Sequence, residues 1–301
     1  MSPPSRSPEC CPADVRHIAR QSLAEAIGWL EHRPLSDRAV HAVRKDLKRV
    51  RAMLRLMRPA LRSDDYHHDN ALLRDVARSL SAARDSKVLL DTLRDLPCAS
   101  PATAPERNLC AHLEREHAHS RGRLRTDGVC LRQACKSLRT VRRRLMEKPA
   151  SRYDRAVLSL GLQRVYGRTR AALEHAQARP TVANLHELRK QTKYLWHQLE
   201  ALTGPHTSRN RALISATHRL SDLLGDEHNL AVLHSKVLAA SLPAKSRKRL
   251  LARIAKRRER LVTAAFALAQ RTYQDRPEAL VTRVLGRETE RPGAAALRSS
   301  S

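Results

Sequence analysis

Between His41 and Arg58 the chain repeats one kind of chemistry at one spacing. His41, Arg44, Lys48, Arg51, Arg55 and Arg58 fall three or four residues apart. Read as a helix, that spacing lines up basic or protonatable side chains in one stripe over roughly 25 Å. Lys45 and Arg49 widen it. Guanidinium forks and lysine ammonium groups donate charge-assisted hydrogen bonds to phosphate oxygens. A compact phosphate needs only a few such donors; a linear polyanion needs them repeated along a line. A histidine donates when neutral and adds charge when protonated. The competing reading is a merely solvated helix face. Against it stands the single sign of the stripe, in which Asp46 is the only acid from Val40 to Pro59.

The stripe borders a buried face. Val40, Val43, Leu47, Val50, Leu54 and Met57 recur at helical spacing, one residue and about 100° away from the basic comb. A second version follows in LHELRKQTKYLWHQLEALTG, from Leu185 to Gly204. His41, Arg44, Lys45, Lys48 and Leu54 return as His186, Arg189, Lys190, Lys193 and Leu199, all at an offset of 145 residues. The apolar comb returns as Leu185, Leu188, Leu195, Leu199 and Leu202, with Thr192 as the exception, and the basic comb decays into Trp196, Glu200 and Thr203. Downstream, LSAARDSKVL from Leu80 matches LGDEHNLAVL from Leu224 at an offset of 144 residues. Two matched blocks with nearly equal offsets argue for an internal duplication of about half the chain.

These residues carry a resemblance. H-x-x-R-x-x-x-[KR] followed by [LS]-x-x-x-R-D-x-x-V-L, twice along a basic helical chain, resembles the CHAD domain, over about Val15 to Gly286. Lys45 stands where the family often has an apolar residue, Trp196 and His197 where it often has Arg and an aromatic, and Asn229 replaces the second Asp. The resemblance implies an all-α fold of two pseudo-symmetric helical bundles with a basic groove or channel between them. It also implies binding of inorganic polyphosphate and association with polyphosphate granules. On that reading the ligand-facing residues are His41, Arg44, Lys45, Lys48, Arg49, Arg51, Arg55 and Arg84 in the first half, and His186, Arg189, Lys190 and Lys193 in the second.

Composition agrees with helices. Glycine is scarce at nine residues in 301, and aromatics make up 3%, against abundant Leu, Ala and Arg. The 58 Lys and Arg outnumber the 30 Asp and Glu, a net charge of +28 that repels itself without a polyanionic partner. Nucleic acid, an anionic membrane surface and polyphosphate are the candidate partner classes. No run approaches a membrane span, and the N-terminal MSPPSRSPECCP lacks the apolar core of a secretory signal. The six cysteines form no C-x-x-C and read as reduced thiols of a cytoplasmic protein, with no cofactor implied.

In order, residues 1–12 read as a disordered tail, 13–147 as the N-terminal half, 148–152 as a linker, 153–286 as the C-terminal half and 287–301 as a second tail. Ser36 or Asp37 is placed to cap the organising helix. SDDYHHDN, from Ser63 to Asn70, could gather a metal, but acids in a helix's first turn explain it more simply. Arg84 is placed to face the anion site, and Asp85 to cap a helix or orient an arginine. PCASPATAP is a linker, and a break is expected at Thr126-Asp127-Gly128. In the second half, separate helices are expected over Arg209 to Leu224 and Asp226 to Ala240, then a basic helix from Pro243 to about Tyr273, with a short helix after Pro277.

Catalytic patterns do not assemble. There is no G-x-x-x-x-G-K-[ST], no G-x-S-x-G and no H-E-x-x-H. The triphosphate-tunnel hydrolases that can accompany such domains carry E-x-E-x-K; the nearest string, Glu114-Arg-Glu116-His-Ala, lacks the lysine. The expectation is a non-catalytic binding module. A nucleic-acid-binding protein is the alternative, disfavoured because single-strand binders need stacking platforms that few aromatics supply.

Overall fold

The computed structural model describes residues 15–32, 34–96, 103–203 and 210–286. The expectations for residues 1–12, most of the linker at 97–105, the Gly204-Pro205 stop and 287–301 lie outside that set. Every regular element described is helical, as the composition predicts. The first half holds α1 (Val15–Glu31), α2 (Asp37–Leu56), α3 (Ser63–Ser79), α4 (Ser81–Arg94), α5 (Ala104–Thr126) and α6 (Gly128–Glu147). The second holds α7 (Arg155–Ala178), α8 (Val182–Thr203), α9 (Arg211–Ala239), α10 (Ala244–Thr272) and α11 (Pro277–Leu285).

Local chemistry explains the ends. The Ser36 hydroxyl accepts from the Ala39 amide at 3.1 Å and starts α2, so the serine is the cap. Thr103 and Glu106 form a reciprocal capping box at the start of α5, and α5 and α6 part at Asp127, as expected. One boundary differs. α3 and α4 break at Leu80, but the matching stretch of the second half runs through Leu224-Gly225 as the single 29-residue helix α9. A lone glycine costs a helix only about 1 kcal/mol, and neither a proline nor a cap is present to stop it.

Both apolar combs are buried, with Val40, Val43, Leu47, Val50, Leu54 and Met57 at 3% exposure or less. Thr192, the exception in α8, is fully buried and accepts a hydrogen bond from the Tyr273 hydroxyl at 3.4 Å. The order of neighbours is alike in the two halves: α1 touches α2 and α6, while α7 touches α8 and α11. The two halves do not bury their combs separately. One continuous core runs from Val15 to Leu280 through both halves, because α2 and α8 are apolar over more of their circumference than one half can cover. A smaller core joins α4 and α5 of the first half to α9 and α10 of the second.

Two close approaches fix α2. The Gln198 amide on α8 donates to the Ala52 carbonyl at 3.0 Å. On α7, a Cβ added at Gly161 would sit 2.0 Å from the Leu56 carbonyl oxygen, so only glycine allows this crossing. The Ser63–Asn70 acids turn to cations rather than to one another: Lys148 reaches Asp65 at 3.0 Å and Arg144 reaches the buried Asp69 at 2.9 Å. No helix among the described residues is long and apolar enough to cross a membrane.

Candidate functional site: a cationic seam between α2 and α8

Asp46, the one acid inside the α2 stripe, points away from it. It is buried beside Glu25 of α1, where burial, and then Glu25, push its carboxyl up to about 6. The stripe is therefore left without internal neutralisation.

Lys48 occupies the centre. It makes no ion pair among the described residues, and the charges acting on it are Arg189 and Lys193 of α8, Arg44 of α2 and Arg84 of α4. Burial first, and then these cations, bring its ammonium down to about 7. Arg44 donates to the Ala77 carbonyl at 2.7 Å and lies 3.6 Å from Asp85, so that aspartate orients an arginine rather than capping a helix. Arg189 sits beside Gly225, with its Nε in ordinary contact range of that position, and this buried Nε has no hydrogen-bond partner among the described residues. Burial lowers the Arg189 pKa and Arg44 lowers it further, while Asp222, Asp226 and Glu227 oppose them. Glu227 is already bonded to Arg258 at 2.7 Å.

Histidines rim the cluster. His41, exposed at the edge, is pushed down by desolvation and then by Arg84, Lys48, Lys45 and Lys193. His186 packs against His228 of α9, with ring centroids 4.7 Å apart and planes inclined by 47°. Burial, then Arg189, His186 and Lys48, bring His228 down to about 4. The seam thus holds five cations, Arg44, Lys48, Arg84, Arg189 and Lys193, from three helices, with histidines of α2, α8 and α9 around them and weak carboxylate compensation. Separate cations on rigid helices in a shared, partly desolvated space are a receptor for several anionic oxygens at once.

The CHAD domain family description matches residues 14–238 of the chain. The chain belongs to the CHAD family. PptA from Streptomyces chartreusis, a solved structure, superposes with a TM-score of 0.58 at 18% identity, covering 88% of this chain and all of that one. The CHAD domain from the plant Ricinus communis superposes with a TM-score of 0.57 at 17% identity, covering 91% of this chain and 92% of that one. No curated protein sequence matches.

In this CHAD chain the residues singled out from sequence separate into groups. His41, Arg44, Lys48, Arg84, His186, Arg189 and Lys193 come together at the seam. Lys45 lies at its exposed edge, within electrostatic reach of His41 and Lys193. Lys190 stays at the margin, ion-paired to Glu187. Arg49 faces Asp46 and His197 on another side of α2. Arg51 and Arg55 belong to a separate grouping: both donate to Asn70, at 3.0 and 3.3 Å, and Arg55 lies 3.9 Å over the Tyr194 ring. The sequence reading missed His228, although the offset of 144 residues that pairs Leu80 with Leu224 pairs it with Arg84. It also missed Arg164 and Arg168 on α7, which no motif marks.

Proposed function

We propose that this CHAD chain binds inorganic polyphosphate without turning it over, in the seam between α2 and α8, as a protein of polyphosphate granules. The observation that carries this reading is Lys48: a half-buried ammonium ringed by Arg44, Arg84, Arg189 and Lys193, with no carboxylate paired to it among the described residues. Cations held this close repel one another by Coulomb's law, and a dense polyanion relieves all of those repulsions together. Polyphosphate fits because it repeats anionic oxygens along a flexible line and presents no bases. The family resemblance points to the same ligand.

The nucleic-acid reading loses ground here. Tyr194 is covered by Arg55, and Trp196 is packed among Lys193, His197 and His218, so neither ring offers a free face to a base. The test is competition of labelled long-chain polyphosphate against duplex and single-stranded nucleic acid at two salt concentrations. Polyphosphate should displace both at physiological salt, with affinity falling steeply as salt rises. Equal or tighter binding of nucleic acid would replace this reading.

A further inference from the structure

Beyond the seam, five arginines gather where the C-terminal end of α2 meets α7: Arg51 and Arg55 from α2, Arg58 from the 3-10 turn that follows it, Arg164 and Arg168 from α7. None of the five makes an ion pair with a carboxylate among the described residues. Two are braced by aromatic rings, Arg55 at 3.9 Å over Tyr194 of α8 and Arg58 at 4.5 Å over Tyr66 of α3. Arg55 also donates to the Arg51 carbonyl at 2.8 Å, and Asn70 holds both by its side-chain oxygen. The Gly161 crossing, one turn before Arg164, locks α7 against Leu56 and so sets Arg164 and Arg168 beside the α2 group. These two are exposed and a helical turn apart, facing solvent on one side of α7. Arg164 is held below its usual pKa by desolvation, with Arg58 and Arg168 as the leading charges.

Such a group is built rather than incidental. Solvated arginines on separate helices adopt separate rotamers, but here rings, an amide and a carbonyl preset guanidiniums towards one place. Preset donors lose little entropy on meeting an anion. The group lies on the same α2 stripe as Lys48, further along a span of roughly 25 Å from His41 to Arg58.

We propose that Arg51, Arg55, Arg58, Arg164 and Arg168 form a second anion station, which takes the continuing run of a phosphate chain already seated at Lys48 and makes the protein selective for chain length. This rests on the polyphosphate reading of the seam. A short oligomer fills one station; a long one fills both, and the second contact is intramolecular, which multiplies affinity without enlarging either station.

The experiment uses the full chain carrying Arg164→Gln and Arg168→Gln, exposed helix positions where glutamine keeps helicity. Binding of long-chain polyphosphate and of tripolyphosphate is measured by calorimetry across a salt series. Affinity for the long chain should fall about three- to tenfold, as expected for two exposed ionic contacts. The slope of log affinity against log salt should become shallower by about one to two. Tripolyphosphate affinity at low salt should stay unchanged, and Arg164→Lys with Arg168→Lys should restore most of the long-chain slope. Unchanged long-chain affinity and slope would overturn the second station. So would an equal loss for both ligands, which would mark a general field effect. Failure of the unmodified chain to prefer long polyphosphate over nucleic acid would instead remove the seam reading, and this station with it.

Discussion

Lys48 makes the seam sensitive to pH. Its ammonium titrates near 7 in the free protein because burial and four cations oppose its charge. An anion in the seam favours the charged form and raises that pKa, so the complex holds more protons than the free protein. Affinity must then fall as pH rises through 7 and level off below it. Between pH 6.5 and 8.5 the expected loss is about tenfold for a long chain at fixed salt, within the limit of tenfold per pH unit for one proton. Lys48→Arg keeps the charge but cannot titrate in this range, so its affinity should stay flat over the same interval. A wild-type profile as flat as that of the arginine variant would show that Lys48 does not face the ligand. His41, His186 and His228, all held below 6.5, add a further rise only under acid conditions.

At the scale of elements, the decisive contacts are the crossings of α2. Gly161 lets α7 touch the α2 backbone, and any side chain there meets the Leu56 carbonyl. Gly161→Ala should therefore force the helices apart and destabilise the fold by about 1–3 kcal/mol, the usual range for overpacking. Chemical denaturation would show a lower midpoint with an unchanged slope. A midpoint equal to wild type would mean that α7 slides past α2 without cost. By contrast, Gly167, one residue before Arg168, has open space around it, so Gly167→Ala should leave the midpoint the same or slightly raised.

For the whole molecule, the consequence is stoichiometry. The Lys48 cluster draws Arg44, Lys48 and Arg84 from the first half and Arg189, Lys193 and His228 from the second. One polyanion touching both sets should titrate as one site per chain. Arg44→Gln with Lys48→Gln, or Arg189→Gln with Lys193→Gln, should each lower affinity at least tenfold, without halving the stoichiometry. The first pair should cost more, because its stripe continues to the arginines beside α7. Two equivalent sites, each silenced by one pair alone, would exclude a shared seam.

How much of this was open to a reader of the chain follows from the range of the forces involved. Helical periodicity is local, so the two combs, the Ser36 cap, the break at Asp127 and the sign of the α2 stripe could all be read in windows of a few turns. The repeated spacing also marked His41, Arg44, Lys48, His186, Arg189 and Lys193 as a set. Sequence could not divide the stripe, because Lys48 and Arg55 are equivalent by spacing and differ only in what crosses α2 near each of them. Lys190 pairs with Glu187 three residues back on the same helix, a local signal that its spacing in the repeat overrode. The α7 arginines reach their station through the crossing at Gly161, and His228 reaches the seam through the packing of α9 on α8. The sequence by itself determined which helices form and which faces are cationic. Only the tertiary structure decided which cations converge, because convergence depends on how closely backbones approach, a property of packed pairs of helices rather than of any one.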